Sequence, residues 1–214
     1  MIVDERIITF INSLDTKNSE ILEDIEREAL ADNVPIIRRE MQSFLKVLLM
    51  VKKPMRVLEV GTAVGFSALL MSEYVPEECA ITTIENYEKR IPIARQNFVR
   101  AGKEKKITLL EGDAMDVLKT LEGPYDFIFM DAAKGQYIHF MPEVMRLLAP
   151  GGILVSDNVL QDGDIFESRY GIKRRNHTIH NRMREYLYAL THDEALDTVI
   201  LETGDGMAIS VKKE

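Results

Sequence analysis

The sequence predicts a single α/β domain, a mostly parallel sheet with helices on both faces, N-terminal cap helices and a closing antiparallel hairpin. Three observations carry this. From Lys53 onward, short apolar runs alternate with amphipathic stretches, as in a parallel sheet buried between helices. Residues 1–52 show only helical periodicity, and residues 198–211 show two strand-like runs about a glycine-containing turn. A length of 214 residues suits one generous domain and is too short for two.

Helices are expected at 3–13, 17–32 and 38–50, forming a cap (1–52) on the core (53–214) rather than a second domain. Asn18 or Ser19 suits the second as N-cap, and Ile21, Leu22, Ile25 and Ala29 recur at helical spacing. Met41, Phe44, Leu45, Leu48 and Leu49 share a face of the third. Strands follow at 56–60, 80–85, 107–110, 127–131 and 153–157, with helices at 66–75, 88–101, 114–121 and 136–148 between them. A long helix at 177–192 precedes strands at 198–202 and 207–211, which Thr203, Gly204, Asp205 and Gly206 join as a hairpin on the sheet edge.

Composition excludes several classes. Hydrophobic residues at 46% and charged residues at 29% argue against disorder. No apolar run approaches the ~20 residues a membrane span needs, and Asp4, Glu5 and Arg6 do not open a secretory signal. Cys79 is the only cysteine, which fits a reducing cytoplasm and a small residue packed beside a strand. The net charge of −8 argues against a surface uniformly adapted to nucleic acid and leaves room for a local basic patch.

The run from Val57 to Ser67 reads as a buried strand, a turn punctuated by Gly61 and Gly65, and a helix. Glycine permits the tight turn and close approach of a ligand to the backbone; a turn serving the fold alone has the same appearance. Glu85, twenty residues beyond Gly65, ends the second strand where a carboxylate would accept hydrogen bonds from ribose hydroxyls. The G-x-x-x-G spacing departs from the dinucleotide fingerprint. With Glu59 just before the turn, it suits a cationic, amino-acid-bearing nucleoside such as S-adenosylmethionine better. Asp113 reads equally as an adenine contact or as a helix N-cap.

Two strands end in acids, Asp131 and Asp157, the second followed by Asn158. In an open α/β sheet the ligand crevice lies beyond the carboxyl ends of the strands. Two carboxylates and an amide oxygen meeting there make a hard oxygen set suited to Mg²⁺ or a similar divalent cation. Either acid alone reads as well as a helix cap. Lys134 becomes a candidate general base only through its place beside that cation; otherwise it is a solvated lysine.

Together LEVGTAVGFS, TTIE, EGDA, DAAK and GGILVSDNV resemble the class I, cation-dependent O-methyltransferases, the group of catechol and caffeoyl-CoA O-methyltransferases. The resemblance implies a Rossmann-like methyltransferase fold and S-adenosylmethionine contacts at Met41, Gly61, Ser67, Glu85, Ala114 and Asp131. It also implies a metal held by Asp131, Asp157 and Asn158, catalysis by Lys134 with Asp131, and a homodimer. Ala132 and Ala133 depart from the larger aromatic residues of the animal catechol enzymes, so packing around the methionine part and the substrate must differ.

Lys173, Arg174, Arg175, Arg182 and Arg184 fall within twelve residues that hold no acid, alongside His177 and His180. With Ile179, Met183, Leu187 and Leu190 as an apolar stripe, these charges read as a solvated helix face or as phosphate contacts. The stretch 173–188 is similar to bacterial tRNA 5-hydroxyuridine methyltransferases of the same family, which implies a tRNA anticodon loop as partner. The rival acceptor is a small catechol-like or phenylpropanoid hydroxyl. A nucleoside-binding protein without chemistry is disfavoured by Asp131, Lys134, Asp157 and Asn158 together. A NAD-linked dehydrogenase lacks its glycine fingerprint.

Overall fold

The computed structural model describes residues 5–168 and 170–214; the first two positions of the helix expected at 3–13 lie outside them. Three helices come first: α1 (Glu5–Ser13), α2 (Glu20–Ala31) and α3 (Arg39–Lys52). The alternating unit follows as β1 (Arg56–Val60), α4 (Phe66–Tyr74), β2 (Ala80–Glu85), α5 (Ile91–Arg100) and β3 (Ile107–Glu111). It continues with α6 (Ala114–Thr120), β4 (Tyr125–Met130), α7 (Tyr137–Leu147) and β5 (Leu148–Asp157). Helix α8 (His177–His192) and strands β6 (Leu196–Leu201) and β7 (Met207–Lys212) complete it.

The seven strands lie in the order β3-β2-β1-β4-β5-β7-β6. The first five are parallel, and β7 runs antiparallel to both β5 and β6. The expected hairpin is present, but β7 is internal and only β6 lies at the edge. The turn that leads into β7 therefore lands beside the carboxyl end of β5, where Asp157 pairs with Met207.

Alternation along the strands fills both faces. Val57, Phe127, Phe129 and Val155 join Leu22, Ile25, Leu45 and Leu49 of the cap helices in one apolar cluster. Leu58, Ile128, Met130 and Leu154 join Tyr137, Val144, Met183 and Tyr186 in the other. Each such side chain contributes roughly 1.5–3 kcal/mol when fully buried. Cys79 is buried just before β2 and makes no disulfide.

Several local expectations shift for physical reasons. Ser19 is the N-cap of α2, yet its side chain does not cap: its hydroxyl donates to Glu73 at 2.6 Å, and the Asn18 amide donates to Gln42 at 2.8 Å. Strand β5 begins at Leu148, before the expected 153, because a register shift against β4 absorbs Pro150, Gly151 and Gly152. Along α8 the buried positions are His180, Met183, Tyr186 and Leu190, while Ile179 of the expected stripe is exposed.

Strand register positions the site. Ile84, Val60, Met130 and Ser156 stand level across β2, β1, β4 and β5. The next residue on each strand, Glu85, Gly61, Asp131 and Asp157, therefore forms a row at the carboxyl edge, with neighbouring strands about 4.8 Å apart. Tyr137, at the start of α7 and fully buried, ties the backbone on either side of Asp131 to that of Asp157. Its hydroxyl faces the carbonyls of Met130 at 3.1 Å and Asp157 at 3.2 Å as donor, and accepts from the Ala132 N–H at 3.3 Å. Burial and the nearby Asp131 and Asp157 charges hold the phenol pKa well above its ordinary value, so the group keeps its proton.

Replacing Tyr137 by Phe keeps the ring and strands these polar groups. We expect a loss of about 1–3 kcal/mol, read as a lower melting temperature with an unchanged circular dichroism spectrum. An unaltered melting temperature would show that the hydroxyl does not tie the strands.

Candidate active site

A cleft of about 770 Å³ opens at the carboxyl ends of the parallel strands, within the usual range for a small-molecule site. The residues that the resemblance assigns to cofactor, metal and catalysis all line it. Met41, Gly61, Ser67, Glu85 and Ala114 border one part, and Asp131, Lys134, Asp157 and Asn158 the other. Ala132 and Ala133 line it too.

The loop after β1 is built by packing as much as by any ligand. Gly61 has φ +107°, and a Cβ there would lie 2.0 Å from the Asp131 carbonyl oxygen, so glycine is what lets the tips of β1 and β4 close. A Cβ on Gly65 (φ +84°) would lie 2.5 Å from the Phe98 ring. Of the two readings the sequence leaves open, ligand approach and a turn serving the fold, the second has a direct cause here in these close contacts. The Asn97 amide, donating to the Val64 carbonyl at 2.9 Å, holds the loop from beneath.

Glu85 accepts from the Ala63 N–H at 2.7 Å through Oε2, and from Asn86 and Tyr87 N–H at 3.0 and 2.9 Å through Oε1. A carboxylate has about four acceptor positions, so Glu85 organises the loop through three of them and has one left over. Glu59 does not line the cleft. It is fully buried behind the loop, accepting from Thr83 and Ser67, with Oε1 unpartnered among the described residues. Burial pushes its carboxyl up to about 7. Asp113 is a helix cap, accepting from the Met115 N–H at 2.8 Å, while also facing the cleft.

At the other end Asp157 is buried, and its Oδ1 accepts from the Asn158 N–H at 2.7 Å. No hydrogen-bond donor reaches the Asp131 carboxyl among the described residues. Burial raises the pKa of both acids, and the Asp131 charge adds to the rise at Asp157. Asn158 adopts φ +58°, a left-handed conformation that asparagine tolerates. Lys134 is not the isolated lysine of the sequence reading: its Nζ donates to Asp205 Oδ2 at 2.8 Å, and that carboxylate is 3% exposed. Asp205 belongs to the turn before β7, and sequence reasoning missed it. It reaches the cleft because β7 inserts beside β5.

The chemistry of this wall fits a divalent cation. Asp131, Asp157 and Asp205 face Lys134 across one cleft, so three formal negative charges meet one positive charge, an excess of two. A buried carboxylate without donors is costly unless a cation or proton meets it. Among the described residues no cluster of three His, Cys, Asp or Glu side chains could hold a metal by itself; the third donor here is the Asn158 amide.

Of the basic run, Lys173, Arg174 and Arg175 are exposed and make no ion pair among the described residues. Arg182 and Arg184 instead donate to the carbonyls of Gly135 at 3.2 Å and Ile165 at 3.1 Å. His180 is buried against the Glu167 carbonyl at 3.2 Å. No helix among the described residues is long and apolar enough to cross a membrane.

These features fit a nucleoside-dependent transferase, with a glycine-turn loop and the acid that organises it at one end of the cleft and an anionic wall at the other. The O-methyltransferase family profile matches residues 12–213, and the chain belongs to that family. It is 30% identical to a catechol O-methyltransferase of Niastella koreensis, over 79% of each chain. It is also 30% identical to caffeoyl-CoA O-methyltransferase 2 of Populus trichocarpa, over 78% of this chain and 70% of that one. The SAH-bound methyltransferase PaMTH1 of Podospora anserina superposes with a TM-score of 0.89 at 25% identity, covering 98% of this chain and 95% of that one. The protein is an S-adenosylmethionine-dependent O-methyltransferase.

The carboxyl pair gives a signed pH prediction. Acids with raised folded-state pKa values bind protons more tightly folded than unfolded. Their contribution to stability is therefore greatest in acid and is lost as pH rises through the folded value. Without divalent ions, melting temperature should fall from about pH 5 to about pH 8 through this pair and Glu59. Added Mg²⁺ should raise it little at the lower pH and by roughly 2–4 °C at the higher one. An equal rise at both would contradict a cation between these carboxylates.

Proposed function

We propose that this enzyme is a Mg²⁺-assisted O-methyltransferase for a hydroxyl with a second oxygen beside it, and that its acceptor is 5-hydroxyuridine in a tRNA anticodon loop. The observation that carries the chemistry is the pair of strand-end acids, Asp157 buried and Asp131 partly so, beside Asn158 and the Lys134–Asp205 ion pair, in one cleft with the glycine-turn loop. Bound there, Mg²⁺ would acidify a chelated hydroxyl, and S-adenosylmethionine would supply the methyl group, its C–S bond breaking as the O–C bond forms.

The chain's own residues do the rest. Asp131 and Asp157 lend charge to the cation and Asn158 lends a neutral oxygen. Lys134 Nζ passes its own proton to Asp205 or to solvent before it receives the one that leaves the acceptor, and Asp205 keeps that nitrogen in place. Met41, Gly61, Ser67, Glu85 and Ala114 shape the nucleoside end, where Glu85 takes a ribose hydroxyl. Held across one short cleft, acceptor and donor gain most of their rate from alignment.

The tRNA assignment is supported by Lys173, Arg174 and Arg175, three exposed cations in a chain of net charge −8. Their segment leads into α8, which packs on the Lys134 loop through Arg182 and Gly135. A 5-hydroxyl beside the 4-keto oxygen offers a cation the same two neighbouring oxygens as a catechol, on a base that an unpaired loop leaves accessible. The second reading, a small catechol-like or phenylpropanoid acceptor, is favoured by the names of the relatives above. For the homodimer, apolar side chains exposed along α3 and just after it, Val47, Met50, Val51 and Met55, supply a face to bury.

Asp157→Ala should lower methyl transfer about 10³-fold or more while S-adenosylmethionine binding stays within about threefold, because it removes a charge from the reaction end alone. Full turnover in excess chelator would refute the cation's role. Enzyme, methyl-labelled cofactor and Mg²⁺ should label tRNA that carries 5-hydroxyuridine in preference to a catechol panel. Label entering only the catechols would replace the tRNA reading with the second one.

A further inference from the structure

The segment between Asn158 and α8 turns two large aromatic rings to solvent. Phe166 is 63% exposed and Tyr170 is 96% exposed, and neither ring makes an aromatic contact among the described residues. Lys173, Arg174 and Arg175 follow at once. The surrounding segment is nevertheless anchored. Ile165 and Ile172 are buried, Arg184 donates to the Ile165 carbonyl at 3.1 Å, and the Asn176 amide donates to Asp164 at 3.0 Å. The rings thus project from a fastened stretch of chain.

Its place matters as much as its composition. The first two turns of α8 hold the Lys134 loop through Arg182, and Ile179 lies against Gly135. The same turns hold residues 165–167 through His180 and Arg184. Residues 165–167 and the Lys134 loop therefore pack on the same two turns of α8. Aromatic faces followed by unpaired cations, on an otherwise acidic protein, are suited to an unpaired nucleic-acid strand: rings stack on bases and cations meet phosphates.

We propose that Phe166 and Tyr170 are stacking platforms for unpaired bases next to the acceptor nucleotide, with Lys173, Arg174 and Arg175 on the neighbouring phosphates. This rests on the tRNA reading above and extends it to the surface that presents the loop. Stacking differs from ion pairing in its salt response: cations release counterions on binding, and rings do not.

The test is fluorescence anisotropy of a labelled anticodon stem-loop RNA with the full-length protein and its variants across a range of salt, beside a fully paired duplex of the same composition. Phe166→Ala and Tyr170→Ala should each weaken stem-loop binding about tenfold. They should leave the slope of log affinity against log salt unchanged and barely affect the duplex. Phe166→Tyr should bind as the parent does. Arg174→Glu and Arg175→Glu should reduce that slope by about one each. Melting temperatures close to the parent's would confirm that the variants fold. If the parent binds the stem-loop and both alanine variants bind equally well, the platform is wrong and the tRNA reading stands. If the parent does not bind it, the tRNA reading falls and the platform with it.

Discussion

The site depends on the register of four parallel strands. Because Ile84, Val60, Met130 and Ser156 are level, the residues that follow them come to the edge of the sheet side by side. One row then holds the loop-organising acid, the glycine turn and the two acids of the reaction centre. A shift of one residue in any strand would bury its member of the row or displace it along the edge. Two contacts guard against such a shift. Gly61 lets the β1 and β4 tips meet where any Cβ would strike the Asp131 carbonyl, and the Tyr137 hydroxyl spans the backbones of β4 and β5.

That geometry has an electrostatic consequence. Packing places Asp131 and Asp157 together in surroundings that disfavour their charge, and Lys134, itself paired with Asp205, offsets that only in part. The sheet is rigid and buried on both faces, so the acids cannot separate to relieve their repulsion. A divalent cation would do so while keeping them in place. Tyr137, buried between the same strand tips and retaining its proton, supplies rigidity without adding charge.

Much of this was legible in the sequence because it depends on local pattern. Strand-end acids, the glycine turn and the amphipathic period of α8, found at its expected bounds of His177–His192, are written within windows of ten or twenty residues. Asp205 was not legible. It lies 71 positions from Lys134, and only the insertion of β7 between β5 and β6 carries its turn to the site. Glu59 was legible as an acid near the cofactor loop, but strand alternation sends it behind the loop rather than into the cleft. In the basic run the charges could be counted, yet which of them bond to carbonyls was decided by how α8 packs. The expected start of β5 failed because Pro150, Gly151 and Gly152 look like a loop and are absorbed by a register shift.

The central claim is that one cation sits among three oxygen-bearing side chains at two strand tips. It is tested most directly by crystals grown with Mn²⁺ and measured near the manganese absorption edge. The account predicts one strong anomalous peak at bonding distance, about 2.0–2.3 Å, from oxygens of Asp131, Asp157 and Asn158. A peak confined to surface carboxylates, or none in the cleft at saturating Mn²⁺ above neutral pH, would contradict it.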